Sequence, residues 1–475
     1  MTKNTLVKNT LILLFTSLLI KVLGLVNRVI LTRLLGNEGI SLYMLVLPSI
    51  MFFISLGSLS LNITMTKMVA KKNSFNLIRK ALLICIYSSF AISFLLLLLI
   101  KPLTNNWLKQ SLSFYPILLT IPLIFLSAIN SVLRGYYNGI KKVSISSISI
   151  IIEQITRIVF SIYLLLKFYT LGIAYAVSIA VIAMIIGEIG SIIYVLTMLK
   201  RYRPKVQAKV QTKEILDVAI PITLSRLIGN VTYFLEPIIF TFSLSLLNKS
   251  SNEIMLQYSE VNAYAIPLIT MFSFISIAIG GAIIPHVATS DHKTTAYYIT
   301  TSILYSILPA IPITLIITNY AEEYMFLIYN TKIGVDLVKK YCVFFILYYL
   351  QSPLIAIMQA SNHTKSLLIL LGFADVIKIA LIFILPFIIN DGLIIALLIS
   401  SSLVSIMMYI YLKSKYAFKW QKAQIINILI IIIIHYFFVQ LLKIGNINYL
   451  LSSALIGIVF LCTIKYLRIF SFHNK

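Results

Sequence analysis

Long apolar runs alternate with short polar breaks along almost the whole chain. A helix that crosses a bilayer needs about 20 apolar residues at 1.5 Å of rise each. By that criterion the pattern predicts about fourteen spans. The first six are residues 10–31, 41–65, 81–100, 115–133, 144–166 and 171–199. After a polar break come 215–247, 261–285, 296–318, 341–360, 366–389 and 392–412, then 425–442 and 449–464. The expectation is an all-α polytopic membrane protein.

The pattern also repeats. Pro48 in span two, within Leu47-Pro48-Ser49-Ile50-Met51-Phe52-Phe53, has a counterpart in Pro267 of span eight, an offset of 219. Gly172 opens span six as Gly392 opens span twelve, an offset of 220. Glu153 with Arg157 in span five corresponds to Asp375 with Lys378 in span eleven, an offset of 222 between the acids. Three matches at one offset, in corresponding spans, define a unit of six spans. Six is even, so the two halves share one orientation. Parallel repeats of this kind are a transporter architecture, with the substrate site between the halves. The expected organisation is one six-helix bundle over 1–199, a basic linker over 200–214, a second bundle over 215–412, and two appended helices with a tail over 413–475.

Composition narrows the class. Of 475 residues, 60% are hydrophobic and only 11% charged, against about 25% charged in soluble domains. The chain has too little polar surface for a soluble enzyme. Lys and Arg number 39 against 14 Asp and Glu, a net charge of +25. On a soluble domain that excess would suggest nucleic acid; here no nucleic-acid partner is expected, because the charges sit in loops. With both termini cytoplasmic, 25 of the 39 basic residues fall in cytoplasmic segments, nine in outer segments and five within spans. This asymmetry orients the chain in a cell membrane and places the basic loops against anionic lipid. Cys85, Cys342 and Cys462 lie in apolar runs, and the five histidines show no ligand spacing. No disulfide, metal or cofactor is expected.

The informative charges are those within spans: Lys21, Arg28, Glu153, Arg157, Glu188, Arg226, Glu236, Asp375 and Lys378. Each costs on the order of 2.5–3.5 kcal/mol at a helix centre, so each should face a protein interior or a water-filled cavity. Glu153 with Arg157 and Asp375 with Lys378 have spacings that place both partners on one helix face. They suit either neutralised structural pairs or gating pairs. Lys21 and Arg28 are seven apart on one face of span one, with no acid nearby in sequence. Together with Arg226, at the start of span seven, they either pair with Glu236 or Glu188 on another helix or form a cationic cleft for phosphate oxygens. Glu188 and Glu236 are the candidate ion-coupling acids, for protons or sodium, with membrane potential a third source of energy. Prolines 48, 221, 237, 267, 309, 312, 353 and 386 interrupt the spans at natural bending points.

Several segments carry a resemblance. Lys21-Val22-Leu23-Gly24-Leu25-Val26-Asn27-Arg28, followed by Leu31-Thr32-Arg33-Leu34-Leu35-Gly36-Asn37-Glu38-Gly39-Ile40, resembles the opening of the stage V sporulation protein B-like polysaccharide flippases. Arg134-Gly135-Tyr136-Tyr137-Asn138-Gly139, Pro221-Ile222-Thr223-Leu224-Ser225-Arg226 and Tyr349-Leu350-Gln351-Ser352-Pro353-Leu354 also fit that family. The resemblance implies the multidrug/oligosaccharidyl-lipid/polysaccharide exporter superfamily, with twelve core spans in two bundles, often with two more. It implies a transporter, not an enzyme, that moves an undecaprenyl-pyrophosphate-linked sugar between leaflets. Lys21, Arg28 and Arg226 would match basic cavity positions, and Glu38 an acidic position after span one. One departure is clear: span two has no arginine near Phe52-Phe53-Ile54-Ser55-Leu56-Gly57, and Asn262 stands where the lipid II flippases carry one early in span eight. Two rival readings are a multidrug or cation antiporter of the same superfamily, and a polytopic glycosyltransferase or polymerase.

Overall fold

The structure, a computed structural model, describes residues 3–168, 171–202, 210–445 and 447–467. The middle of the expected basic linker, 203–209 with Arg203, Lys205 and Lys209, lies outside the described residues, as does the tail 468–475. The described residues form helices joined by short turns, and no strand occurs among them. Without water, only a helix or a closed barrel satisfies every backbone N–H and C=O. Twelve helical runs are long and apolar enough to cross a membrane, or thirteen with one bent pair counted as a span. The protein is a multi-pass membrane protein. The difference from the fourteen expected spans lies at the N-terminus, where spans one and two belong to one run, Leu18–Lys71. Its 54 residues exceed a single crossing of about 30 Å. The run breaks at Gly36, whose φ of 66° is accessible to glycine without steric cost.

By its internal contacts the chain divides into two units, Met1–Ser259 and Glu260–Lys475. The first contains α1 (Lys3–Ser58), α2 (Leu61–Lys71), α3 (Phe75–Lys101), α4 (Thr120–Gly139), α5 (Val143–Phe168), α6 (Ile173–Arg201), α7 (Thr212–Leu246) and α8 (Ser251–Ser259). One core cluster joins Leu61, Met65 and Val69 of α2 to Ile78 and Cys85 of α3 and to Val132, Tyr136 and Tyr137 of α4. Ile215 and Ala219, at the start of α7, complete it. Thus α7, which the repeat places at the head of the second half, packs with α1 inside the first unit. Its start is set locally: Gln211 and Glu214 form a reciprocal capping box, with the Gln211 N–H donating to Glu214 Oε1 at 2.9 Å.

The second unit opens with a π-helical turn, Glu260–Ala265, and a short helix, Ile266–Ile269. Then follow α9 (Phe274–Val287), α10 (His292–Asn319), a nine-residue 3₁₀ stretch (Cys342–Leu350) leading into α11 (Gln351–Ala360), α12 (Thr364–Ile384) and α13 (Gly392–Tyr416). The pieces on either side of Thr270 meet at 50°. The two appended helices, α14 (Lys422–Ile444) and α15 (Tyr449–Tyr466), pack on α10, where Ile431 and Ile464 join Leu304, Leu308 and Ile311.

The tightest helix approach bearing on function is α5 against α6. A Cβ placed on Gly187 would stand 2.8 Å from the Glu153 carbonyl oxygen, and one on Gly190 3.2 Å from Thr156 Oγ1. Gly187→Val should therefore lower unfolding stability by about 2 kcal/mol, the usual cost of overpacking. Gly24→Ala, where a Cβ meets nothing within 4 Å, should be neutral or slightly stabilising. Chemical denaturation of the detergent-solubilised protein measures both.

Candidate functional site

Most of the charge in the first unit's interior is gathered where α4, α5 and α6 meet. Glu153 is the hub. Its Oε2 accepts a bond from Arg134 Nη2 at 2.7 Å, and its Oε1 accepts one from Arg157 Nη2 at 2.6 Å. The side chains of Arg134, Glu153 and Arg157 are 13%, 8% and 15% exposed. Arg134 also donates through Nε to Ser149 Oγ at 2.9 Å and through Nη2 to Ser191 Oγ at 2.7 Å. The Ser191 hydroxyl donates onward to Asn130 Oδ1 at 3.3 Å. The Asn130 amide in turn donates to the Glu188 side chain through Oε2 and to its backbone carbonyl. One chain of hydrogen bonds thus links Glu188 to Arg157 across three helices. Two arginines and two carboxyls in one apolar region are tolerable only with this degree of pairing.

A second group lines α1, α7 and α8. Arg28 is half-buried and directs Nη2 at the Met44 sulfur, 3.3 Å away. Glu236, 3% exposed, accepts from the Tyr258 hydroxyl at 3.1 Å. The Arg28 guanidinium and the Glu236 carboxyl both lie within electrostatic reach of the Tyr233 and Tyr258 hydroxyls. The fold therefore collects Arg28 and Glu236 around the same two tyrosines, although 208 positions separate them in sequence. Nearby, Asn230 donates to Ser55 Oγ at 2.6 Å, and the Phe52 and Phe234 rings stack at 4.4 Å. Lys21 is half-buried on α1, seven positions before Arg28. Arg226 on α7 and Glu38, just beyond the Gly36 break, are exposed.

In the second unit, Asp375 and Lys378 are both half-buried on α12. That unit also holds a cavity of about 380 Å³ between the segment around Phe272, α10 and α15, lined by Pro309, Pro312, Ile316, Tyr324, Gly457 and Phe460 among others. With no charged side chain in its lining, it suits hydrocarbon and not a pyrophosphate.

Arg134 is the residue that sequence reading misplaces. The hydropathy pattern ends span four at residue 133 and assigns Arg134 to a cytoplasmic loop. The helix instead continues to Gly139, because Tyr136 and Tyr137 are fully buried in the core shared with α2. Their hydroxyls donate to the carbonyls of Tyr202 and Val195. A pair of tyrosines, separated from the apolar run only by Arg134 and Gly135, was the available signal. Asn130 and Ser191 carried none, because neither residue is unusual within a span.

Residues 6–289, more than half of the chain, match the family described as "Polysaccharide biosynthesis protein". Stage V sporulation protein B of Bacillus subtilis (strain 168) is 28% identical over 406 residues, covering 81% of this chain and 78% of that protein. Lipid II flippase MurJ of the same organism is 25% identical over 206 residues, covering 40% of this chain and 38% of its own. The solved structure of lipid II flippase MurJ in an inward closed conformation superposes with a TM-score of 0.72 at 15% identity, over 96% of this chain and 98% of that one. That likeness establishes the fold as the one seen in this flippase. The match over residues 6–289, with which the polytopic helical fold agrees, shows that the chain belongs to the polysaccharide biosynthesis protein family.

Proposed function

We propose that the protein is a flippase. It carries an undecaprenyl-pyrophosphate-linked oligosaccharide, lipid II-like or a polysaccharide precursor, across the cytoplasmic membrane by alternating access. The reading is supported by membership of the family and by the sequence relative named as a lipid II flippase. The observation that carries it is the basic face of α1, on which Lys21 and Arg28 are half-buried within an apolar run. A guanidinium fork and an ammonium suit the oxygens of a pyrophosphate. Arg226 and Glu38, both exposed, would contact the head group from α7 and from the stretch of α1 just beyond the Gly36 break. The lipid tail would remain in hydrocarbon throughout.

The six-span repeat, 1–199 and 215–412, would supply the two halves that rock about the substrate, with 200–214 as linker and 413–475 as accessory helices. Glu153 with Arg157 and Asp375 with Lys378 would be the symmetric gating pairs. Glu188 and Glu236 would be the ion-coupling acids, with a proton or sodium gradient or the membrane potential driving transport. The cation antiporter alternative calls for acids that meet a cationic substrate; Glu153 is instead neutralised by the protein's own two guanidinium groups.

Neutralising Lys21 and Arg28 together to glutamine should cut translocation more than about 100-fold, since charge-assisted bonds contribute about 1.5–3 kcal/mol each. Protein level and thermal stability should hold. A leaflet-accessibility assay in proteoliposomes measures this, and wild-type flipping by the double variant would remove the basic site. Orientation is open to a separate check, with Cys85, Cys342 and Cys462 replaced by serine. A lone cysteine at Lys365 should then react with a membrane-impermeant maleimide only from the cytoplasmic side. One at Lys249 should react only from outside.

A further inference from the structure

The hydrogen-bond chain of the first unit contains a carboxyl that the pairing of charges leaves over. Both guanidinium groups direct their carboxylate bonds at Glu153: Arg134 to Oε2 and Arg157 to Oε1. Glu188, 7% exposed, receives the Asn130 amide instead. An amide dipole compensates an ionised carboxylate far less than a guanidinium does, and an isolated buried charge takes a proton in preference to remaining ionised. Opposed to Glu188 are Arg134 from α4 and Glu153 and Arg157 from α5, all within electrostatic reach. From α1 comes Tyr43, whose hydroxyl donates to the sulfur of Met184, one turn before Glu188, at 3.9 Å.

We propose that Glu188 is a proton-binding site of the first unit. The Asn130–Ser191–Arg134 chain transmits its occupancy to Glu153. The exchange balances simply. A hydronium ion gives its proton to the Glu188 carboxylate, forming an O–H bond and leaving water, and the reverse step returns it. When Glu188 is protonated, Arg134 is committed to Glu153, the arrangement seen here. When Glu188 is ionised, Arg134 has two carboxylates to serve. Its Nη2 already sits on Ser191, one hydrogen bond from Asn130 and two from Glu188. Proton loss therefore draws Arg134 toward α6 and loosens its hold on α5. The backbones of those two helices are close enough at Gly187 for the change to be felt as a shift in packing. Asn130 is then a positioning residue that aims the carboxyl, and Arg134 the group that reads its charge. The link from this site to transport rests on the flippase reading; the proton site does not.

The first measurement needs no substrate. Infrared difference spectra of the full chain in lipid nanodiscs, recorded across a pH titration, should show a titrating carboxylic-acid C=O band. The band should vanish in Glu188→Gln, persist in Asp375→Asn, and remain with a displaced midpoint in Glu188→Asp. Asn130→Ala should displace the midpoint by about one pH unit, the scale of a lost hydrogen bond or neighbouring charge; a purely structural asparagine would leave it in place. Wild-type spectra without such a band, or an unchanged band in Glu188→Gln, overturn the proposal. Should Glu188→Gln fail to fold, the aspartate and Asn130 variants still decide, because an unmoved midpoint in both overturns it. The second measurement is translocation in proteoliposomes against pH, which Glu188→Gln should flatten. If wild-type protein moves no lipid-linked sugar yet the band titrates, the flippase reading fails and the proton site stands. If transport is robust and the band is insensitive to Glu188, the reverse holds.

Discussion

A charge carried into an apolar interior must meet an opposite charge or a proton there, because no water is available to solvate it. This constraint organises the first unit. Glu153 is held by two arginines from two helices. The Arg134–Glu153 bond survives only while α4 and α5 keep their spacing, and the Arg134–Ser191 and Asn130–Glu188 bonds only while α4 and α6 keep theirs. Removing one partner of a buried pair costs about 3–5 kcal/mol, so the network acts as a clamp on three helices. It also makes them a single responsive element, because a change of charge at any member is felt by the rest.

The second polar group differs in kind. Around Arg28 lie the Met44 thioether and, within electrostatic reach, the Tyr233 and Tyr258 hydroxyls, the latter bonded to Glu236. The first group ties three helices through its charged and amide side chains, and the second gathers a thioether and tyrosine hydroxyls about a guanidinium.

The backbone breaks fit the same economy. Gly36 ends the first crossing, prolines interrupt α1, α7 and α10, and Thr270 separates two pieces at 50°. The 3₁₀ stretch over Cys342–Leu350 is longer than such runs usually are. Each break exposes carbonyls that must be satisfied inside the protein. Thr270 illustrates the repair: its N–H and its hydroxyl both donate to the Ile266 carbonyl. Segments of this kind bend at less cost than uninterrupted helix.

The sequence by itself determined the helical fold, the membrane environment and the i,i+4 pairing of Glu153 with Arg157. Each follows from local spacing: about twenty apolar residues make a crossing, and four residues bring two side chains to one face. The sequence also marked which residues would be costly to bury. It did not determine their partners. The hydropathy pattern ended span four too early for Arg134, because two buried tyrosines read as polar. Arg134 stands 19 positions from Glu153, and Asn130 stands 58 from Glu188. No spacing rule connects such residues. They meet because α4, α5 and α6 pack side by side, with Gly187 permitting the close approach of α6 to α5. Tertiary packing alone decided which acid is shared by two guanidinium groups and which receives an amide.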